Sequence, residues 1–191
     1  MSFVVPIAVA AQDLANKQAA ARTELHPISS LTISDEQFLK GDVNGKPVTV
    51  AGQFRIAQGQ GRLPVVVMAH GSAGMVSNVD FWARQLNGMG ISTFALDSFT
   101  GRGLTSVSND QMLLGRLNMM VDVYRMLDVL AKHSRVDSQR IALMGFSRGG
   151  QAALYASLKR FHQAWNESGV EVAAYIAFYP DCMTTYQSDM K

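Results

Sequence analysis

A three-layer α/β sandwich around a mostly parallel sheet is the fold class predicted by two observations. The first is a set of continuous apolar runs without polar alternation: Pro64–Ala69, Ile91–Leu96, Ile141–Met144 and Val172–Phe178. Strands covered by helices on both faces have this composition, and such strands are usually parallel. The second is that helical patterns separate these runs, which gives the order strand, helix, strand, helix, strand, helix, strand.

The elements follow in chain order. Val48, Val50 and Gln53–Ile56 partly alternate, as in a half-exposed antiparallel strand before the first buried run. Ser77 and Asp80 have the spacing of a capping box, and Gly88 and Gly90 stop the helix that follows. Leu113, Leu117, Met120, Val121, Tyr124, Leu127 and Ala131 recur at three and four, predicting a long helix from near Ser108 to Lys132. A third helix is predicted to open just after Ser147. About six strands are expected in the sheet.

The 191-residue chain is long enough for one well-packed domain. Apolar residues make up 48% and charged residues 17%, which excludes wholesale disorder. The formal net charge of +2 is scattered along the chain, so nothing in it points to nucleic acid or a membrane surface. Cys182 is the one cysteine, which excludes an intrachain disulfide and a Cys-rich zinc site; no metal and no cofactor are expected. No apolar run reaches the roughly 18 residues of a membrane span. Residues 1–44 read as an N-terminal arm or leader, with Ala15–Arg22 a candidate helix and residues 1–11 resembling the end of a secretory signal. Export and a cytoplasmic location both stay open.

The chemistry concentrates in Gly145-Phe146-Ser147-Arg148-Gly149, a G-x-S-x-G pattern between a buried strand and a helix. A serine on so sharp a turn projects its Oγ above the sheet. Side chains two residues before and after would collide, hence the flanking glycines. Ser147 is therefore expected at positive φ, as the nucleophile. An oxyanion hole needs two converging N–H donors about 3 Å from the oxyanion. The backbone amides of Arg148 and of Ser72, in the His70–Gly74 loop, are the candidates. His70 sits at a strand end inside that Gly loop, which favours a structural role over that of base. No G-x-G-x-x-G follows the first buried strand and no P-loop lysine is present, which sets nucleotide binding aside.

PVVVMAHGSAG, FALDSFTGRG and RIALMGFSRGGQAAL together resemble the dienelactone hydrolase family of α/β-hydrolases, over roughly Gly45–Cys182. The resemblance implies hydrolysis of esters or lactones without a cofactor, by a triad of nucleophile, His base and Asp orienter. Dienelactone hydrolase itself carries a cysteine where Ser147 stands, so this sequence is closer to serine-bearing relatives. Arg102 falls near the family's carboxylate-binding arginine, one residue off in local spacing; the competing reading is a structural pairing with a loop carbonyl.

In this fold class the acid and then the histidine follow the serine. After Ser147 come a helix, one strand, His162 in or just beyond that helix, and Asp181 at the strand's end. Two further strands are expected to be lacking, so residues 45–191 read as a partial α/β-hydrolase-type domain truncated before its triad acid and histidine. The complete form is expected to be a serine hydrolase, the alternative being a non-catalytic scaffold or binding protein. A last strand open at its edge would lose cover at Tyr175 and Phe178 and favour dimerisation there.

Overall fold

The computed structural model describes residues 16, 18–183 and 186. The signal-like stretch, Ala15 and Lys17 of the candidate helix and the last five residues lie outside these; of that candidate helix Asn16 and Gln18 are helical, whereas Arg22 opens the first strand.

Six strands form one sheet: β1 (Arg22–Thr32), β2 (Lys46–Ile56), β3 (Leu63–Ala69), β4 (Ser92–Asp97), β5 (Val136–Phe146) and β6 (Ala174–Phe178), in the spatial order β1-β2-β4-β3-β5-β6. β1 with β2 and β2 with β4 pair antiparallel; β4, β3, β5 and β6 are parallel. The helices are α1 (Asp35–Lys40), α2 (Ser77–Gly88), α3 (Asn118–Ala131), α4 (Arg148–Ala156) and α5 (Lys159–Trp165).

The sheet separates two apolar layers. On one face Val65, Val67, Phe94, Leu96, Ile141 and Leu143 pack against Met119, Val123 and Leu127 of α3, Ala152 and Ala156 of α4 and Phe161 and Trp165 of α5. On the other, Val66, Met68, Ala95, Met144 and Phe146 pack under Val79, Ala83 and Leu86 of α2. Burial on both faces is why β3 reads as an unbroken apolar run and β4 as one interrupted only by the buried Ser92 and Thr93.

Three expectations change. Residue 45 is not a boundary: β1 pairs with β2 along its whole length, and Ser34 caps α1 with a reciprocal capping box to Gln37. The long helix begins at Asn118 rather than near Ser108. Its would-be first turns form a loop, in which Asp110 caps a short 3₁₀ turn at Gln111–Leu113. Arg148 holds the Gln111 and Leu114 carbonyls, and Asn118 bridges the N–H and C=O of Ile33. These long-range bonds outweigh the helical periodicity of residues 108–117. Ser77 does not cap α2, whose N-cap is Val76; Asp80 instead pairs with Arg55 and Arg84.

β6 lies at one edge of the sheet. Its Phe178 is half-buried rather than stripped of cover: the ring stacks on Phe146 and Trp82, with centroids 5.3 and 5.6 Å away.

Candidate active site

β5 ends at Phe146 and α4 begins at Arg148, so Ser147 alone makes the turn between them, at φ 52° and ψ −114°. For a residue with a side chain this conformation costs on the order of 1–3 kcal/mol. The surroundings impose it. Ser147 N–H donates to the Phe178 carbonyl (3.0 Å), and the Ser147 carbonyl accepts from Gln151 N–H (2.9 Å). The flanking glycines are steric requirements. A Cβ on Gly145 would fall 1.9 Å from the Gly149 oxygen, and one on Gly149 would fall 2.1 Å from the Ala69 oxygen.

The loop after β3 lies against this turn. A Cβ on Gly71 would sit 3.4 Å from Ser147 Cβ, so the His70–Gly74 backbone is the immediate neighbour of Ser147. Gly74 closes the loop with its N–H on the Gly71 carbonyl (3.0 Å), and Val107 N–H donates to the Ser72 carbonyl (2.8 Å). Gln111 Oε1 accepts from both Ser72 Oγ (2.9 Å) and the Arg148 guanidinium (3.0 Å). Ser72, Ser147 and Arg148 thus come together at one end of the sheet. Their common link, Gln111, had no signal in the sequence, because it lies 39 residues from Ser72 and 37 from Arg148.

The Arg148 side chain is buried, and its hydrogen-bond acceptors among the described residues are neutral: Gln111 Oε1 and the carbonyls of Gln111 and Leu114. Its Nε has no hydrogen-bond partner among the described residues. Burial, with Arg116 nearby, lowers its pKa to about 10, so the guanidinium stays charged at neutral pH. The side chain anchors α4, while the backbone N–H is at the helix's positive end, the place for a developing anion.

His70 is fully buried. Its Nδ1 bonds the Gly71 carbonyl (2.8 Å), and its Nε2 accepts from Ser98 N–H (3.2 Å), which defines the neutral Nδ1–H tautomer. Burial pushes its pKa below the ordinary value. The ring therefore ties the loop after β3 to the loop after β4.

Arg102 requires a correction. Its five N–H donors are all taken: Nε by Thr32 Oγ1, one terminal nitrogen by the Ser98 carbonyl and Asp122, the other by the Leu31 carbonyl and Asp122. The pair is almost wholly buried, and Ser30 Oγ also donates to Asp122. No donor remains for a substrate carboxylate. Arg102 instead pins β1 to α3 and to the loop after β4.

The other candidates are engaged as well. Asp181 pairs with Arg116 (3.1 Å) and accepts from Met183 N–H. His162 contacts Asn166 and the Val170 carbonyl. His26 and His133 both meet Glu24. Among the described residues, those last three form the one group able to hold a metal ion, and His133 precedes β5 while Ser147 follows it.

A serine forced to positive φ between a parallel strand and a helix, facing a Gly-rich loop from an earlier strand, defines the α/β-hydrolase class. Within it, the chain belongs to the dienelactone hydrolase family, whose sequence profile matches residues 50–191. Among solved structures, the chain is similar to a hyperthermophilic esterase from the archaeon Pyrobaculum calidifontis (TM-score 0.56, 19% identity, covering 90% of this chain and 49% of that one). It is also similar to a Klebsiella pneumoniae protein provisionally classed as a dienelactone hydrolase (0.56, 17%, 87% and 63%). A third is EstE1, a thermophilic carboxylesterase cloned from a metagenomic library (0.51, 18%, 84% and 52%). The chain spans roughly half to two thirds of the length of these structures. At these identities the likeness concerns the fold. No curated protein matches the sequence significantly. No helix among the described residues is long and apolar enough to cross a membrane.

Proposed function

We propose that the chain carries the nucleophile half of a hydrolase site for small carboxylic esters or lactones. Ser147 Oγ attacks the carbonyl carbon, and the backbone N–H groups of Ser72 and Arg148 receive the oxyanion. The Oγ proton passes to solvent water as the new C–O bond forms. The acyl group stays on Ser147 as the C–O bond to the leaving group breaks, and that group takes a proton from water and departs as the alcohol. A further water then adds to the acyl-serine and releases the acid. The observation that carries this reading is the φ of 52° at Ser147, a strained conformation for a residue with a side chain. No cofactor takes part in it.

The base is the open part of the site. All four histidines of the sequence bond to partners other than Ser147. The reading therefore gives this chain a poised serine with slow chemistry. Loss of triad members lowers kcat by on the order of 10⁶-fold, with a residue of about 10³–10⁴ over water left by the oxyanion hole and binding. The reading of a non-catalytic scaffold rests on the same histidines.

A fluorophosphonate probe followed by peptide mass spectrometry separates the two. Slow modification confined to Ser147 and absent in Ser147→Ala, with little p-nitrophenyl ester turnover, is the expected result. Modification spread over exposed serines, or none at Ser147, supports the scaffold and overturns the proposal.

A further inference from the structure

We propose that Glu24, His26 and His133 form a binding site for a divalent transition metal of the zinc type, which clips the edge strand β1 to the end of α3.

Glu24 and His26 are two apart on β1, so their side chains leave the same face of the strand. His133 follows the last turn of α3 and reaches the same point from the helix side. Glu24 Oε2 lies 2.9 Å from His26 Nε2 and 3.1 Å from His133 Nε2, and the three ligand atoms all fall within 4.8 Å of one another. Metal–ligand bonds of about 2.0–2.1 Å set tetrahedral ligand atoms roughly 3.3 Å apart, so small movements admit an ion. Two imidazoles and a carboxylate suit zinc and its neighbours rather than magnesium or calcium, and leave a fourth position to water.

The surroundings favour a cation there. The three side chains are 14–22% exposed, partly buried but open to water and ions. Phe54 lies edge-on to His133 (centroids 4.9 Å) and Phe94 contacts His26 (5.9 Å), so the rings rest on an aromatic floor. α3 is 14 residues long, and the negative end of its dipole points toward His133. Two contacts oppose binding. Arg22 occupies the other oxygen of Glu24, and Arg135 N–H donates to His133 Nδ1 (3.1 Å). A metal on His133 Nε2 moves the ring proton to Nδ1 and breaks that second bond, which keeps the affinity modest.

The site is structural. β5 pairs with β3 from Val136 opposite Leu63 to Gly145 opposite Ala69, six residues of strand rise, so roughly 20 Å along the sheet separate the metal-ligand end of β5 from the Ser147 end. The inference is independent of the hydrolase reading.

The test is equilibrium dialysis of the chelator-treated full chain against zinc alone. One zinc per chain is expected. Glu24→Gln, His26→Gln and His133→Gln are each expected to weaken it at least tenfold, and His162→Gln to leave it unchanged. Zinc should raise the melting temperature of the wild type but not of His133→Gln. Nitrogen NMR of the wild type, which needs no variant to fold, should show zinc-dependent shifts at Nε2 of His26 and His133. Absence of stoichiometric binding overturns the proposal. So does stoichiometric binding that survives Glu24→Gln and His133→Gln, or NMR shifts confined to other histidines.

Discussion

The two ends of β5 are built differently. At its C-terminal end the backbone is strained: Ser147 and Tyr179 are the positive-φ non-glycine residues described, and both sit there, after β5 and β6. Backbones approach so closely that Gly145 and Gly149 leave no room for a methyl group. Two buried arginines, Arg102 and Arg148, and the buried His70 hold the neighbouring loops. At the N-terminal end, Glu24, His26 and His133 meet from a regular strand and the close of a regular helix. Among the described residues strain is thus confined to the end that carries Ser147, and dense hydrogen bonding around it is what makes that strain tolerable.

The strongest way to break the comparison is Gly149→Ala. Its Cβ would lie 2.1 Å from the Ala69 oxygen and 2.5 Å from the Ala69 carbonyl carbon, backbone atoms that cannot rotate away. The expected outcome is loss of more than about 4 kcal/mol, or no cooperative fold, in urea unfolding. Near-wild-type stability would show that this end is not tightly determined.

Next in size is Arg102→Met, which strands the fully buried Asp122 carboxylate. A loss of about 3–5 kcal/mol is expected, with much of it recovered when Asp122→Leu is added. A loss below about 1 kcal/mol would argue that the pair does not support the Ser147 end.

The smallest effect separates the two ends by pH. Burial holds His70 below its ordinary value of 6.5, so the folded state keeps the ring neutral. As pH falls below 6.5 the unfolded chain binds the proton first. This stability is therefore full above 6.5 and is lost as pH falls toward the folded value. For Glu24, burial alone would raise the pKa. Hydrogen bonds from His26 and His133, with the charges of His133 and Arg22, hold it below 4.5 instead. Its contribution is present above 4.5 and lost as pH falls through the folded value. Urea midpoints measured against pH should show His70→Gln differing from wild type in slope below about 6.5, and Glu24→Gln only below about 4.5. Coincident windows would remove the distinction.

Some of this was legible in advance because its cause is local. A strand covered on both faces is apolar at nearly every position, so β3, and β4 apart from its buried Ser92 and Thr93, announce themselves. β1 did not. It is an edge strand with Pro27 inside it, Leu25 mostly exposed and Ile28 buried, a mixture that reads as an irregular arm. The start of α3 was misplaced because hydrogen bonds from Arg148 and Ile33 hold segments whose own periodicity is helical.

The sequence by itself determined the class of fold and the place of the strained serine turn. The sterics of a serine flanked by glycines operate within five residues, between a strand and a helix whose signals are equally local. Tertiary structure alone decided which side chains are spent on holding the fold. Arg102 finds Asp122 twenty residues on, Gln111 joins Ser72 to Arg148, and His133 meets Glu24 across 109 residues. A buried charge or polar group takes whatever partner packing brings within about 3 Å, and no spacing along the chain specifies that partner.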